Sequence, residues 1–280
     1  MEHCYANVNG VRLHYVKAGA GPLMLFLHGF PEFWYAWRAQ WPAFAADHLV
    51  VAPDLRGYNL SSKPAAVEQY ATDLLVEDVR ALAEHLGYQR FVLVGHDWGG
   101  FVAWSFALQH PDLVEKLVII NAPHPGVFGN LLRENIAQQQ ASQYISVFRN
   151  TPGMEDWFAA NNFAMLRKAF AGTGLKDGVF SQENWQQYEA AWAQPGALQG
   201  ALNYYRAMKP ASAAPGFQVS VPTLVLWGEQ DPALTIHNLD GLGAYVPSLV
   251  VKRFPDASHW LIHEYPEEVN QAIQGFLASQ

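Results

Sequence analysis

The sequence predicts an α/β protein with a mostly parallel, eight-stranded sheet and helices on both faces. Short, continuous apolar runs recur along the chain, as is typical of strands buried on both faces; they are LMLFLH, LVVAPD, FVLVGH, LVIINA, TLVLWG and LVVKRF. Helical patterns lie between most of these runs, as in a doubly wound sheet. The remaining strands come first, because alternating residues on either side of Asn9-Gly10 predict a β-hairpin.

Helices between the strands are indicated by their own residues. One has an apolar stripe at helical spacing and is followed by Gly87 as a C-terminal cap; the stripe consists of Leu75, Val79, Leu82 and Leu86. The last helix begins at Pro266, a residue favoured in the first helical turn. Its inward-facing residues are Val269, Ile273 and Phe276.

The alternation of strands and helices fails between residues 124 and 214. This stretch is rich in Gln, Asn and aromatic residues and has helical patterns, for example in LLRENIAQQQASQYISVFR and NWQQYEAAWA. Because it falls between two strands of the sheet, we interpret it as a helical cap, or lid, inserted into a core of residues 1–123 and 215–280. A helical appendage that faces solvent is the alternative, but the apolar content favours a segment that covers something.

Composition narrows the class of protein. The chain has 280 residues and a formal net charge of −8 without a basic run, which argues against nucleic acid as a partner. Cys4 is the only cysteine, so no internal disulfide and no cysteine-based metal site can form.

The sequence has neither a signal-peptide pattern nor the ~20-residue apolar run that spans a membrane. We expect a cytoplasmic protein without membrane contact, and its oligomeric state, monomer or homodimer, stays open.

The segment Gly95-His96-Asp97-Trp98-Gly99 follows a predicted strand and precedes a predicted helix. This is the context of a nucleophile elbow, in which glycines permit a strained turn and the central residue is exposed at the carboxyl edge of the sheet. The central residue here is Asp97 rather than serine. The alternative is an Asp that only caps the following helix.

A second segment, LHGFPEFWYAWRAQW, turns the chain back after the strand that ends at His28-Gly29. In folds with a nucleophile elbow, this loop supplies one backbone N–H of an oxyanion hole, and the residue after the nucleophile supplies the other. The expected donors are Phe30 and Trp98. Pro31 stands in a tight turn, where cis proline occurs.

Together, HGFPEFWYAWRAQ, DLRGYNLSSKP and LVGHDWGG resemble the motifs of the epoxide hydrolases of the α/β-hydrolase superfamily. The resemblance covers nearly the whole chain and preserves the order of the motifs, which makes it far more specific than any one motif. Asn59 departs from the pattern, because the family usually has Gly there, but it lies in a loop. The resemblance implies an α/β-hydrolase fold and identifies Asp97 as the nucleophile.

The resemblance also implies an acid and a histidine on loops after the last strands. Asp231 in VLWGEQDPAL and His259 in FPDASHWLIHEYP match these positions. Glu229 and Asp240 are rivals for the acid that we interpret as surface residues, and His263 is a rival for the base that we interpret as structural. Relatives that carry the acid after an earlier strand would have it in NAPHPG, which contains no carboxylate.

In the cap, the resemblance implies two tyrosines. Tyr144 in SQYISVFRNTPG and Tyr205 in LNYYRAMKP match the family's positions. A buried tyrosine is more often a packing residue whose hydroxyl is satisfied locally, so each alone is a weak indication and the pair is a stronger one.

These residues suit the chemistry of an epoxide, which has a strained leaving oxygen and no carbonyl to polarise. A carboxylate such as Asp97 can open the ring from behind and form an ester, whereas serine would form an ether that water does not easily cleave. The tyrosines would donate to the leaving oxygen, and His259, oriented by Asp231, would activate the water that hydrolyses the ester. The expected product is a vicinal diol, with no metal or organic cofactor.

We expect the substrate to be a small apolar epoxide bound by Phe30, Trp34 and Trp98. Two alternatives stay open. A haloalkane dehalogenase shares the Asp–His–acid set, and Trp98 could bind its halide, although Phe30 stands where that family commonly has a second donor. A non-catalytic protein that binds a small molecule on the same fold is the remote alternative.

Overall fold

The computed structural model describes residues 1–209 and 217–279. Within these ranges, the strands form one eight-stranded sheet with the order β1-β2-β4-β3-β5-β6-β7-β8. The strands are β1 (Glu2–Val8), β2 (Val11–Ala18), β3 (Leu23–Leu27), β4 (Leu49–Pro53), β5 (Phe91–His96), β6 (Val114–Ile120), β7 (Thr223–Gly228) and β8 (Leu249–Phe254). Only the pairings of β2 with β1 and with β4 are antiparallel. The predicted fold class is confirmed.

The hairpin between β1 and β2 turns at the predicted pair. Asn9 and Gly10 both have left-handed backbone conformations, with φ of 45° and 74°. Two successive positive φ values match the twist of the strands that they connect, which is why Asn-Gly is favoured in such turns.

Most of the apolar runs are the buried strands that the sequence predicts. Every residue of β3 and β5 is buried. The run LVVKRF is different, because β8 lies at the edge of the sheet and Val250 and Val251 are 51% and 38% exposed. The expectation of a strand buried on both faces is therefore wrong for β8, because its side chains at the edge of the sheet are not covered on both faces.

Five α-helices among the described residues flank the sheet. They are α1 (Trp41–Phe44), α2 (Thr72–His85), α3 (Trp98–Gln109), α10 (Leu261–Glu264) and α11 (Pro266–Ala278). Gly87 follows α2 with a φ of 84°, as expected for a C-terminal cap. The predicted inward face of α11 is buried at Val269, Ile273 and Phe276. None of the helices in the described residues is long and apolar enough to cross a bilayer.

In the described part of the chain, six further α-helices lie between β6 and β7. They are α4 (Pro125–Glu134), α5 (Ile136–Ala141), α6 (Gln143–Asn150), α7 (Met154–Gly172), α8 (Gln182–Trp192) and α9 (Ala197–Ala207). The stretch LLRENIAQQQASQYISVFR is divided among three of them, because Asn135 ends α4 and its side chain accepts from the N–H of Gln138 to begin α5. The end of the cap at residue 214 lies outside the described residues, and the division into core and cap stays a prediction.

The helices of this stretch pack on the loops at the carboxyl edge of the sheet. Phe170 of α7 stacks on Trp260, with ring centroids 4.1 Å apart. The Trp192 indole N–H donates to the carbonyl of Pro31 at 2.6 Å, and the Tyr204 hydroxyl donates to the carbonyl of Arg56 at 2.8 Å. These contacts place the stretch over the strand ends where the motif residues meet.

Candidate active site

Asp97 stands at the bend between β5 and α3. Its backbone has a φ of 51° and a ψ of −121°, a conformation that L-residues with a side chain rarely adopt. The turn is tight enough to require glycine on both sides. A β-carbon at Gly95 would lie 2.5 Å from the carbonyl oxygen of Gly99, and one at Gly99 would lie 2.1 Å from the carbonyl oxygen of Leu27. The strain and the crowding together direct the carboxylate out of the sheet, as in a nucleophile elbow.

One oxygen of Asp97 is held by the backbone. The Phe30 N–H donates to Asp97 Oδ1 at 2.6 Å. The Phe30-Pro31 peptide bond is cis. Trp98 begins α3, so its N–H belongs to the first turn of the helix, where backbone donors have no partner within the helix. The geometry thus gives Asp97 Oδ1 a donor from the loop after β3 and leaves Oδ2 without this contact.

His259 lies between the carboxylates of Asp231 and Asp97. Its Nδ1 lies 2.7 Å from Asp231 Oδ2, and its Nε2 lies 3.7 Å from Asp97 Oδ2. Burial alone would lower the pKa of His259, but the charge and hydrogen bond of Asp231 and the charge of Asp97 outweigh it and raise this pKa to about 9. The structure therefore brings together the three residues of the Asp–His–acid set.

Asp231 is fixed by donors on both oxygens. The N–H groups of Ala233 and Leu234 donate to Oδ1, each at 2.9 Å, and the Asn121 amide donates to Oδ2 at 2.9 Å. Asn121 is fully buried just after the end of β6, and it is a site residue that the sequence patterns did not predict. Its segment, NAPHPG, contains no carboxylate, and an amide beside the acid leaves no local signal in a sequence.

The rivals for the acid and the base lie elsewhere. Glu229 pairs with Arg253 at 2.6 Å, and Asp240 pairs with His237 at 2.8 Å with most of its side chain exposed. His263 is buried, and its Nε2 lies 2.7 Å from Glu32 Oε1.

Tyr144 of α6 and Tyr205 of α9 face Asp97 across a cavity. Their ring centroids are 6.0 Å apart in an edge-to-face arrangement. Burial raises the pKa of both hydroxyls above the usual value, and the charge of Asp97 raises it further. Both phenols are therefore neutral and able to donate a hydrogen bond.

As lined by the described residues, the cavity has two unequal compartments that share Asp97, Tyr144 and Tyr205. The larger has a volume of about 320 Å³, and its other lining residues include Phe30, Phe148, Gly172, His259 and Trp260. The smaller has a volume of about 40 Å³, and its other lining residues include Trp98, Phe101, Phe128, Ile145 and Met208. A ligand atom bound between the carboxylate and the phenols lies where the two compartments meet.

Residues 22–266 match the family of proteins with the alpha/beta hydrolase fold. Epoxide hydrolase 4 of Mus musculus is 39% identical over 287 aligned positions, which cover 99% of this chain and 80% of that relative. The chain belongs to the epoxide hydrolases of the α/β-hydrolase superfamily. It is therefore an enzyme of the hydrolase class.

Bacterial proteins show the same similarity. The AB hydrolase superfamily protein YfhM of Bacillus subtilis is 39% identical, with 99% of this chain and 98% of the relative covered. The crystal structure of a mutant epoxide hydrolase from Bacillus megaterium has a TM-score of 0.93 at 43% identity and covers 99% of this chain and 100% of its own. A further mutant of that enzyme, with a TM-score of 0.93 at 42% identity over the same shares of the two chains, is complexed with its product (R)-3-[1]naphthyloxy-propane-1,2-diol.

The structure places Trp34 of the enzyme away from both compartments. Trp34 begins a short 3₁₀ helix, and its ring packs edge-on against His3 at 5.4 Å while its N–H donates to Asp54 at 3.1 Å. The prediction that Trp34 contacts the substrate is therefore wrong. The loop reverses direction after Pro31, so Phe30 faces the cavity and Trp34 faces the β1–β2 side.

The remaining histidines of the motifs brace the loops of the enzyme. His28 Nδ1 donates to the Gly29 carbonyl at 2.9 Å, and its Nε2 accepts from the Leu55 N–H at 3.0 Å. His96 Nε2 donates to the His259 carbonyl at 2.8 Å. No cluster of His, Cys, Asp and Glu side chains among the described residues has the arrangement of a metal site.

Proposed function

We propose that the enzyme opens an epoxide with water to a vicinal diol through a covalent ester on Asp97. The observation that supports this most directly is the shared cavity, in which one carboxylate faces two neutral phenols and one imidazole. A carboxylate nucleophile suits a saturated electrophilic carbon, and opposed proton donors suit an oxygen that departs from it.

In the first step, Asp97 Oδ2 attacks an epoxide carbon. We assign the attack to Oδ2 because Oδ1 is occupied by the Phe30 N–H. The bond between that carbon and the ring oxygen breaks as the ester bond forms, and the oxygen takes a proton from Tyr144 or Tyr205. Two phenols supply this proton without placing a cation in a mostly apolar cavity.

In the second step, His259 Nε2 removes a proton from a water molecule, which attacks the carboxyl carbon of Asp97. The negative charge that develops on Oδ1 is stabilised by the N–H groups of Phe30 and Trp98, and one donor of this kind is worth about 2.7–4 kcal/mol in activation free energy. The ester bond breaks, the alkoxy oxygen takes a proton from the imidazolium, and the diol leaves. The carboxylic acid proton that hydrolysis leaves on Asp97 passes to the tyrosinate formed in the first step, which restores the starting charges. Formation of the ester removes the charge of Asp97, which lowers the pKa of His259 and favours its neutral, basic form.

The unequal volumes of the two compartments favour epoxides of one shape over others. A compartment of about 40 Å³ admits hydrogen or a small alkyl group, whereas one of about 320 Å³ admits an aryl group. We therefore expect terminal epoxides with one bulky apolar substituent to be the better substrates. The naphthyloxy diol of the Bacillus megaterium relative is a product of this shape.

A substrate panel tests the proposal. Styrene oxide and phenyl glycidyl ether are incubated with the enzyme in parallel with 1-chlorobutane and 1-bromobutane, and diol and halide are measured. We expect diol from the epoxides, and Asp97→Ala to lower its formation ~10⁴-fold or more, while the exposed control Asp240→Ala leaves it unchanged. Halide without diol would indicate a haloalkane dehalogenase, and binding without either product would indicate a non-catalytic protein.

A further inference from the structure

A buried amide ties α5 to the loop that follows β7. Gln138 is fully buried, and its side chain makes five hydrogen bonds. Nε2 donates to the Ala233 carbonyl and to the Ser142 hydroxyl, each at 2.9 Å. Oε1 accepts from the Thr235 N–H, the Thr235 hydroxyl and the Asn238 amide, at 2.9, 2.8 and 2.9 Å.

The partners of Gln138 require an amide at this position. The Thr235 N–H and the Asn238 amide nitrogen can only donate, so they need an acceptor, and the Ala233 carbonyl can only accept, so it needs a donor. A glutamate would meet the first need and leave the second unmet. Both amide hydrogens are used, and a buried polar group with all its partners fixes one arrangement of the elements around it.

The segment that Gln138 holds is the one that orients Asp231. The Ala233 N–H donates to Asp231 Oδ1, and the carbonyl of the same residue accepts from Gln138. Two residues further on, Thr235 is held through both its N–H and its hydroxyl. The turn after Asp231 is thus held by the carboxylate at one end and by Gln138 at the other.

We infer that Gln138 is a positioning residue for hydrolysis of the ester, because it fixes the turn whose N–H groups orient Asp231 toward His259. This inference rests on the proposed function. Four of the five hydrogen bonds of Gln138 go to residues 233–238. Only one goes toward Tyr144, through Ser142 at the start of α6, so ring opening depends less on Gln138 than hydrolysis does.

The experiment separates the two steps of the reaction. Enzyme in excess over styrene oxide is quenched in acid at short times, and intact-protein mass gives the rates at which the alkylated fraction rises and decays. Gln138→Met keeps the volume and removes every hydrogen bond. The matched control is Gln40→Met, because Gln40 is equally buried and its amide donates to the Ile262 carbonyl at 2.9 Å.

We expect Gln138→Met to slow the decay about tenfold or more and the rise by less than about threefold, since small misplacements of catalytic groups are costly. Gln40→Met should leave both rates unchanged. If Gln138→Met does not fold, Thr235→Val removes one donor to Oε1, and it should slow the decay alone and by less. An unchanged decay in that variant contradicts the inference.

Other results overturn the inference in distinguishable ways. Equal slowing of both steps, or a lower melting temperature with both rates intact, would show that Gln138 only stabilises the packing of α5. If the wild-type enzyme shows no transient increase in mass, the covalent scheme itself fails and the inference fails with it.

Discussion

His259 Nε2 lies 3.7 Å from Asp97 Oδ2, which is beyond hydrogen-bond distance for the two atoms. The imidazole is therefore close enough to activate a water beside the carboxyl carbon, and it is not bound to the oxygen that we assign as the nucleophile. In the proposed scheme, a base placed in this way serves hydrolysis of the ester rather than its formation.

His259→Gln should consequently separate the two steps. Asp97 and the tyrosines remain in place, so ring opening proceeds, while loss of the general base slows hydrolysis by ~10²–10⁴-fold. The alkylated protein should accumulate and be visible by intact mass as an increase of one substrate mass. His263→Gln is a control at a histidine that contacts Glu32 rather than the cavity. An unshifted mass of the His259 variant in the presence of substrate would count against the covalent route.

The two tyrosines should act before the ester exists. Replacing Tyr144 and Tyr205 together with Phe removes both proton donors to the leaving oxygen, and we expect alkylation to slow by ~10²–10⁴-fold. Single-turnover mass measurements report this step directly. Tyr88→Phe is the matched control, because its hydroxyl donates to the Gly21 carbonyl far from the cavity. Normal alkylation with slow hydrolysis in the double variant would assign the phenols a different role.

The size of the larger compartment should determine which epoxides are accepted. A β-carbon at Gly172 would have no neighbouring atom within 4 Å, so Gly172→Phe can be accommodated with its ring directed into the space that this residue lines. We expect kcat/KM for phenyl glycidyl ether to fall about tenfold or more, as is usual when a pocket loses the room for a group. Propylene oxide should be affected much less, and Gly172→Ala should be nearly neutral. Equal losses for both epoxides would show that the bulky group lies elsewhere.

The pKa of His259 should make stability fall on the alkaline side. It is about 9 in the folded enzyme, above the value of 6.5 expected for an unfolded chain, so its stabilising effect is complete below pH 6.5 and is lost as the pH rises to 9. The pKa values of His263 and His124 are lowered to about 4 by burial, so these residues act at acidic pH instead. Thermal unfolding at pH 6 and pH 9 should show a smaller decrease for His259→Gln than for the wild type. Equal decreases would contradict this assignment.

Much of the fold and of the candidate site could be predicted because the relevant signals are local. Buried parallel strands are apolar runs wherever they occur, and the glycines around Asp97 and at Asn9-Gly10 mark turns that other residues cannot make. The apolar run of β8 wrongly predicted a strand buried on both faces. The position of a strand in the sheet is decided by its partners and not by its own residues.

Residues whose roles depend on distant partners could not be predicted in this way. Asn121 meets Asp231 110 positions along the chain, and Gln138 meets Thr235 97 positions along it. Neither has a neighbour in sequence that reveals the contact. The prediction that Trp34 binds the substrate was wrong for a related reason. The direction of an aromatic side chain in a motif depends on how the loop turns.

The unusual backbone of Asp97 has a consequence for the stability of the enzyme. A non-glycine residue at a φ of 51° and a ψ of −121° costs on the order of 1–3 kcal/mol, which is a noticeable part of the margin by which a domain stays folded. A glycine at position 97 would relieve this strain, so the enzyme holds a carboxylate at the bend at a cost in folding free energy.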